Sequence, residues 1–206
     1  MLDAHFDEPN VFRVGADFDG VISDMARLIR VGMRELYHRE IPFGRERKDL
    51  MIGDGIVTDE EYRNLIDTIS VTDKYLDQMI PVAGMLTHIS QLRTVASDVE
   101  IRIITARYEK GTAIAQKWID QCCLGLTVES SSGEESKALK ARGLHVFLDD
   151  TLERLEELDG SVPHRFLFSW PYNESDRVKD PSIIRVSSWR EFTTHVRDIA
   201  RAHPGG

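Results

Sequence analysis

Cysteine is scarce in this 206-residue chain, which holds only Cys122 and Cys123, side by side. Adjacent cysteines suit neither an ordinary disulfide framework nor a Cys-x-x-Cys metal site, so both are expected reduced near a helix end. Apolar runs approaching about 18 residues are also missing, which argues against a transmembrane helix. The opening Met1-Leu2-Asp3-Ala4-His5-Phe6-Asp7-Glu8 is acidic and lacks a signal peptide's basic-then-apolar order, so a cytoplasmic location is expected. Basic residues are outnumbered, 26 Lys and Arg against 35 Asp and Glu, and the net charge of −9 leaves no basic stripe for a long nucleic acid. A small anion remains compatible if a metal and a few Lys or Arg supply local positive charge. The seven histidines show no zinc-like grouping. Gly53-Asp54-Gly55 lacks the third glycine and the preceding strand of a dinucleotide fingerprint, and there is no Gly-x-x-x-x-Gly-Lys.

What is present is an ordinary globular composition, 41% hydrophobic and 30% charged, in a chain long enough for a full core. Val11-Phe12-Arg13-Val14 reads as a strand. Ser23 is placed to cap a helix carrying Met25, Leu28, Ile29, Met33, Leu36 and Tyr37, broken by Pro42 and Gly44. Thr58-Asp59-Glu60-Glu61 is a capping box before Tyr62, Leu65, Ile66 and Ile69, and Thr72 opens a short helix that Pro81 stops. Residues 26–82 thus read as a helical insert without strands.

Beyond Pro81 helices and strands alternate. A helix with Leu86, Ile89, Leu92 and Val95 precedes a strand over Val99–Thr105; a helix with Trp118 and Ile119 precedes a brief strand at Leu126–Val128. Ser136–Arg142 reads as a short helix, and Leu144–Leu148 as a strand ending in Asp149-Asp150. Arg165–Phe168 and Ile183–Val186 complete the strands, and Ser188-Trp189-Arg190-Glu191 is a second capping box for a final helix. Alternation of this kind predicts an α/β fold, a doubly wound parallel sheet covered on both faces.

Ligands of such sheets bind beyond the carboxyl ends of the strands. The polar residues ending separate apolar runs are Asp17 and Asp19, then Thr105, then Asp149 and Asp150. In extended backbone, residues i and i+2 share a side, so Asp17 and Asp19 can face one crevice. Four carboxylates there call for a neutralising Mg2+, and Lys137 offers a second positive charge, a combination suited to phosphoryl transfer.

Taken in order, Asp17-Phe18-Asp19-Gly20-Val21, Ile103-Ile104-Thr105-Ala106-Arg107, Lys137 and Phe147-Leu148-Asp149-Asp150 resemble the four motifs of the haloacid dehalogenase (HAD) superfamily. The resemblance spans about residues 11–187. It implies a Rossmann-like core of residues 1–25 and 83–206 and a helical C1-type cap of residues 26–82. The small cap, the Thr-Ala-Arg form and Pro171-Tyr172-Asn173 look most similar to the 5'(3')-deoxyribonucleotidase group.

The resemblance implies a Mg2+-dependent phosphoric monoester hydrolase. Asp17 would be nucleophile and metal ligand. Asp19 would be acid/base, with its backbone carbonyl on the metal; it also favours phosphate over carbon–halogen chemistry. Thr105 would bind a phosphoryl oxygen and Lys137 would offset charge. Gly20, Ala106 and Arg107 would lie against substrate. Asp150 would be the direct metal ligand and Asp149 a water-mediated one or an orienter, in an order the paired form leaves open. The expected substrate is a small phosphorylated metabolite, nucleoside monophosphates first; a sugar phosphate, a polynucleotide-end phosphate, or a non-catalytic binding protein on this fold are the alternatives.

Singly, these residues have plainer readings. Asp19-Gly20 can be a turn, Asp149-Asp150-Thr151 a helix cap, and Lys140, one turn from Lys137, the relevant lysine. Arg107 suits contact with substrate phosphate or sugar and a surface salt bridge equally. Met33, Phe43, Met51 and Ile52 in the insert suit its own core better than a base site. Jointly, motif order outweighs the separate plain readings.

Overall fold

The computed structural model describes residues 11–132 and 136–203. The acidic N-terminal stretch and residues 204–206 lie outside them. Six parallel strands form one sheet: β1 (Phe12–Ala16), β2 (Val99–Thr105), β3 (Val128–Ser130), β4 (Val146–Asp149), β5 (His164–Phe168) and β6 (Ile183–Val186), in the order β3-β2-β1-β4-β5-β6. The chain builds outward from β1 to β3, then crosses back to lay β4 on the other side of β1. That reversal puts the switch point between β1 and β4, where a crevice opens.

The strands alternate between two apolar layers, as a period of two requires. Val146, Leu148, Phe166, Phe168 and Ile103 join one cluster; Phe147, Leu167 and Ile104 join the other. The larger layer is covered by α1 (Met25–Tyr37), α3 (Asp59–Val71), α5 (Met85–Leu92), α6 (Glu109–Gln121) and α9 (Trp189–Ala202). The smaller is covered by α7 (Lys137–Lys140) and α8 (Leu152–Glu156). Two short helices, α2 (Lys48–Gly53) and α4 (Asp73–Leu76), complete the segment between β1 and α5, where no strand occurs among the described residues. This segment shares one apolar cluster with the sheet: Met33, Leu65 and Ile69 are continuous with Phe12 and Phe18.

Several local expectations shift. Asp24, not Ser23, caps α1, its carboxylate accepting the Arg27 amide at 2.8 Å. Ser23 is committed to the turn instead, its amide bonding Phe18 O at 2.9 Å. The brief third strand starts at Val128, because Leu126 is spent on the turn, its carbonyl accepting from Gln116 at 3.0 Å. Thr58 and Glu61 form their capping box in full. The second box is only half made: Ser188 accepts the Glu191 amide at 3.2 Å, but Glu191 reaches back to Ser187 at 2.8 Å. Cys122 and Cys123 are free, at the end of α6. Among the described residues no helix is long and apolar enough to cross a membrane.

One side chain extends the central ladder. His145 donates its amide to Arg13 O at 2.9 Å, and the Arg13 amide donates to His145 Nδ1 at 2.9 Å. The imidazole thus replaces a missing carbonyl between β1 and β4, stacked on Phe12 with ring centres 5.0 Å apart.

Candidate active site

The ladder between β1 and β4 runs one residue past β1, with the Asp17 amide donating to Leu148 O at 2.8 Å. Asp17 is thereby held beside Asp149. Phe18 turns inward, fully buried and edge-on to Trp118 at 5.9 Å. The turn that follows needs Gly20: its φ is +76°, and a β-carbon there would fall on the Asp150 carboxylate. Two indoles pin this turn, Trp170 Nε1 on Gly20 O at 2.6 Å and Trp189 Nε1 on Val21 O at 2.9 Å.

Lys137, at the first position of α7, is 6% exposed and places its ammonium 2.6 Å from Asp17 Oδ1 and 2.7 Å from Asp149 Oδ2. The other Asp17 oxygen accepts the Asp19 amide at 2.9 Å. Asp149 Oδ1 accepts the Thr151 amide at 2.9 Å, so this carboxylate both faces the crevice and steadies the start of α8. Asp150 accepts the Tyr172 hydroxyl, and its backbone carbonyl accepts Asn173 Nδ2 at 2.7 Å. The turn Pro171–Asn173 is thus keyed to Asp150.

Arg107 has a different partner from either expected one. Its Nε and Nη2 donate to the two oxygens of Asp19 at 2.9 and 2.7 Å, and Nη1 donates to Ser70 O at 3.3 Å. The guanidinium lies 4.9 Å from the Phe18 ring centre and is buried, so this is no surface salt bridge. Thr105, also buried, accepts the Arg107 amide on its hydroxyl at 3.2 Å.

Four carboxylates therefore meet two cations. Burial pushes the Asp17 carboxyl up to about 7, with Lys137 opposing and Asp149 and Asp19 reinforcing. Asp150 is raised by burial first, then by Asp149 and Asp17. Burial opposes the charge of Lys137, yet Asp149 and Asp17 hold it above the ordinary ammonium range. Such crowding is relieved by a cation. Asp17, Asp149 and Asp150 each offer an oxygen, all within 4.8 Å of one another, a donor set suited to a hard divalent ion. The Asp19 carboxylate is outside this group because Arg107 holds it.

A cavity of about 260 Å³ opens above these groups. Asp17, Asp19, Ala106, Lys137, Asp149 and Asp150 line it, whereas Gly20, Thr105 and Arg107 are not among its lining residues. Its far wall is Met25, Ala26, Ile29, Tyr62 and Ile66, with Glu46, Arg47, Arg154 and Tyr172 at the sides. Of the insert residues weighed from sequence, Met33 and Met51 are fully buried, Ile52 packs against the core, and Phe43 is 67% exposed. None lines this cavity. The wall residues carried only the periodicity of α1 and α3, which marks a buried face without saying what faces it.

Neither a family model nor a curated protein matches this chain by sequence. Solved structures do match. A HAD family hydrolase from Deinococcus radiodurans R1, with bound phosphate and sodium, aligns over 97% of this chain and 100% of its own at 13% identity, TM-score 0.63. A HAD-superfamily hydrolase of subfamily IA, variant 1, from Geobacter sulfurreducens PCA aligns over 92% and 98% at 15% identity, TM-score 0.55. A HAD-hydrolase from Bacillus subtilis, bound to magnesium, aligns over 90% and 98% at 12% identity, TM-score 0.58.

Proposed function

With the Rossmann-like HAD fold as premise, we propose that this chain is a HAD-type phosphatase that hydrolyses small phosphomonoesters through an aspartyl-phosphate, nucleoside monophosphates being the first class to test. The observation that carries the reading is Asp17, at the switch point, bonded to Lys137 and within reach of Asp149 and Asp150, with a cavity above it. Residues 26–82 act as the cap over a core of residues 1–25 and 83–206. Two contacts that support this tie the cap to the core: Arg107 to Ser70 O at 3.3 Å and Trp118 Nε1 to Met79 O at 3.4 Å.

Asp17 attacks phosphorus with a carboxylate oxygen as the ester oxygen departs, and Asp19 supplies the proton that the departing alkoxide takes up. Asp19 then takes a proton from the water that attacks the aspartyl-phosphate, which returns Asp17 and frees phosphate. Lys137 balances negative charge shared between Asp17 and the phosphoryl oxygens, and the Thr105 hydroxyl donates to one of those oxygens. Asp17, Asp149 and Asp150 would hold Mg2+, whose charge would draw the phosphate dianion into an otherwise repulsive crevice; the Asp19 carbonyl is the further oxygen expected there.

The test is phosphate release from a panel of nucleoside monophosphates with Mg2+ supplied or chelated. Asp17→Asn should abolish release while leaving the circular dichroism of the fold unchanged. Turnover comparable to the parent in that variant would sink the reading.

A further inference from the structure

The charged side chains on the leaving-group side of the cavity are already spent. Glu46, 2% exposed, receives Arg30 on one carboxylate oxygen and the Gly44 amide on the other, at 2.9 Å for the latter. Arg47 directs Nε and Nη2 to Asp49 at 2.6 and 2.9 Å, and Nη1 to both oxygens of Asp176 at 2.9 and 2.7 Å. One guanidinium between two carboxylates leaves that group with an excess negative charge. Arg154 is paired with Glu157 at 2.9 Å. Lys48, whose ammonium lies 5.9 Å from the Tyr62 ring centre, is paired with Asp59 at 2.7 Å. A second anion carried by a substrate would find no uncommitted cation among these side chains and would face Glu46.

Tyr62 stands apart in this wall. Met25, Ala26, Ile29 and Ile66 around it are apolar, and the half-buried ring turns a hydroxyl to the cavity that bonds no other group among the described residues. Burial, then the charges of Asp19 and Asp150, push this phenol up to about 12, so it stays a neutral donor. Open to the cavity, this donor is satisfied by water until a leaving group covers it; one with no acceptor would displace that water and leave the donor unsatisfied.

We propose that the leaving group of the substrate is uncharged, presents an apolar face to Met25, Ile29 and Ile66, and accepts a hydrogen bond from Tyr62. This rests on the phosphatase reading above and sets its substrate class: neutral alcohols with an acceptor, against those bearing a carboxylate or a second phosphate. Charge is disfavoured because Arg47, Lys48 and Arg154 are already paired and Glu46 faces the group, and selection among neutral alcohols falls to Tyr62.

Four probes test it with the intact protein and Mg2+: 4-carbamoylbenzyl phosphate and 4-carboxybenzyl phosphate, alike in size and unlike in charge, with 4-methylbenzyl phosphate and thymidine 5'-monophosphate. The carbamoyl compound should exceed the carboxylate at least tenfold in kcat/KM. Tyr62→Phe, which keeps the ring and its packing, should reduce the preference for thymidine 5'-monophosphate over 4-methylbenzyl phosphate about fivefold, the worth of one neutral hydrogen bond. Equal or faster cleavage of the carboxylate overturns the neutral leaving group while the phosphatase reading stands. An unchanged preference in Tyr62→Phe overturns the role of Tyr62. No phosphate from any probe or from the nucleoside monophosphate panel overturns both readings.

Discussion

Lys137→Met should be among the most destabilising single changes in this protein, although the ammonium, 5.4 Å from the Phe147 ring centre, is not itself part of either apolar layer. The ammonium is buried and bonded at 2.6 and 2.7 Å to two carboxylates. Methionine fills nearly the same volume, so the cost is electrostatic rather than a cavity. Removing one partner of a buried ion pair costs about 3–5 kcal/mol, because the remaining charge is left uncompensated. Here two carboxylates are left, with Asp150 beside them. Against a total stability of about 5–15 kcal/mol, the loss is a large fraction of the whole. At about 2–4 °C per kcal/mol for a domain of this size, the melting temperature should fall by roughly 6–20 °C. Urea unfolding followed by circular dichroism reads the free energy, and a thermal scan reads the shift. Millimolar Mg2+ should restore more stability to Lys137→Met than it adds to the parent, since a divalent ion would supply the charge the lysine gave. Lys140→Met, the same change on a half-buried lysine one turn away, should cost under about 1 kcal/mol. A Lys137→Met loss as small as that of Lys140→Met would refute the reasoning.

Three other outcomes follow from particular contacts. Burial, then His203 and Arg13, depress the His145 imidazole below its ordinary 6.5, so the unfolded chain takes up that proton at higher pH than the folded one. Its contribution to stability is full above about 6.5 and is lost as pH falls below that value; His145→Asn, whose Oδ1 can accept from Arg13, should flatten the fall in melting temperature between pH 7 and pH 5, and parallel curves would count against it. Gly20→Ala adds left-handed strain and a clash with Asp150, and should cost at least about 2 kcal/mol in urea unfolding together with phosphate release. Arg107→Lys loses the two-point grip on Asp19, so steady-state kinetics should show kcat down about tenfold with KM little changed; a fall in affinity alone would instead put Arg107 on the substrate.

The sheet was legible because its strands end apolar runs with chemistry-bearing residues. Val99–Thr105 and Ile183–Val186 match expectation to the residue, and each is bounded by polar or turn residues. The acidic half of the site was legible for the same reason: Asp17, Asp149 and Asp150 stand where runs stop. Other features depend on contacts between residues far apart. Arg107 finds Asp19 across 88 positions, and Tyr172 finds Asp150 across 22, neither separation carrying a local signal. The six-residue α2 escaped notice because Arg47 provides no side-chain cap and the segment is too short to show a period. Asp24 took the cap from Ser23 because backbone pairing around Phe18 decides where the helix begins, and propensity ranks the two residues alike.

The strand order also has a consequence in time. A ribosome makes β1, β2 and β3 before β4, yet β4 is the other neighbour of β1. Until residue 146 and its successors emerge, the strand that will be central is an edge, with the ladder groups of Val14, Gly15 and Ala16 unpaired on one side. Unpaired edges invite other chains, so the nascent protein passes through an interval in which its most buried strand is its most adhesive one. The same step that closes this edge brings Asp149 and Asp150 to Asp17. Escape from aggregation and assembly of the site are therefore one event in the life of the chain.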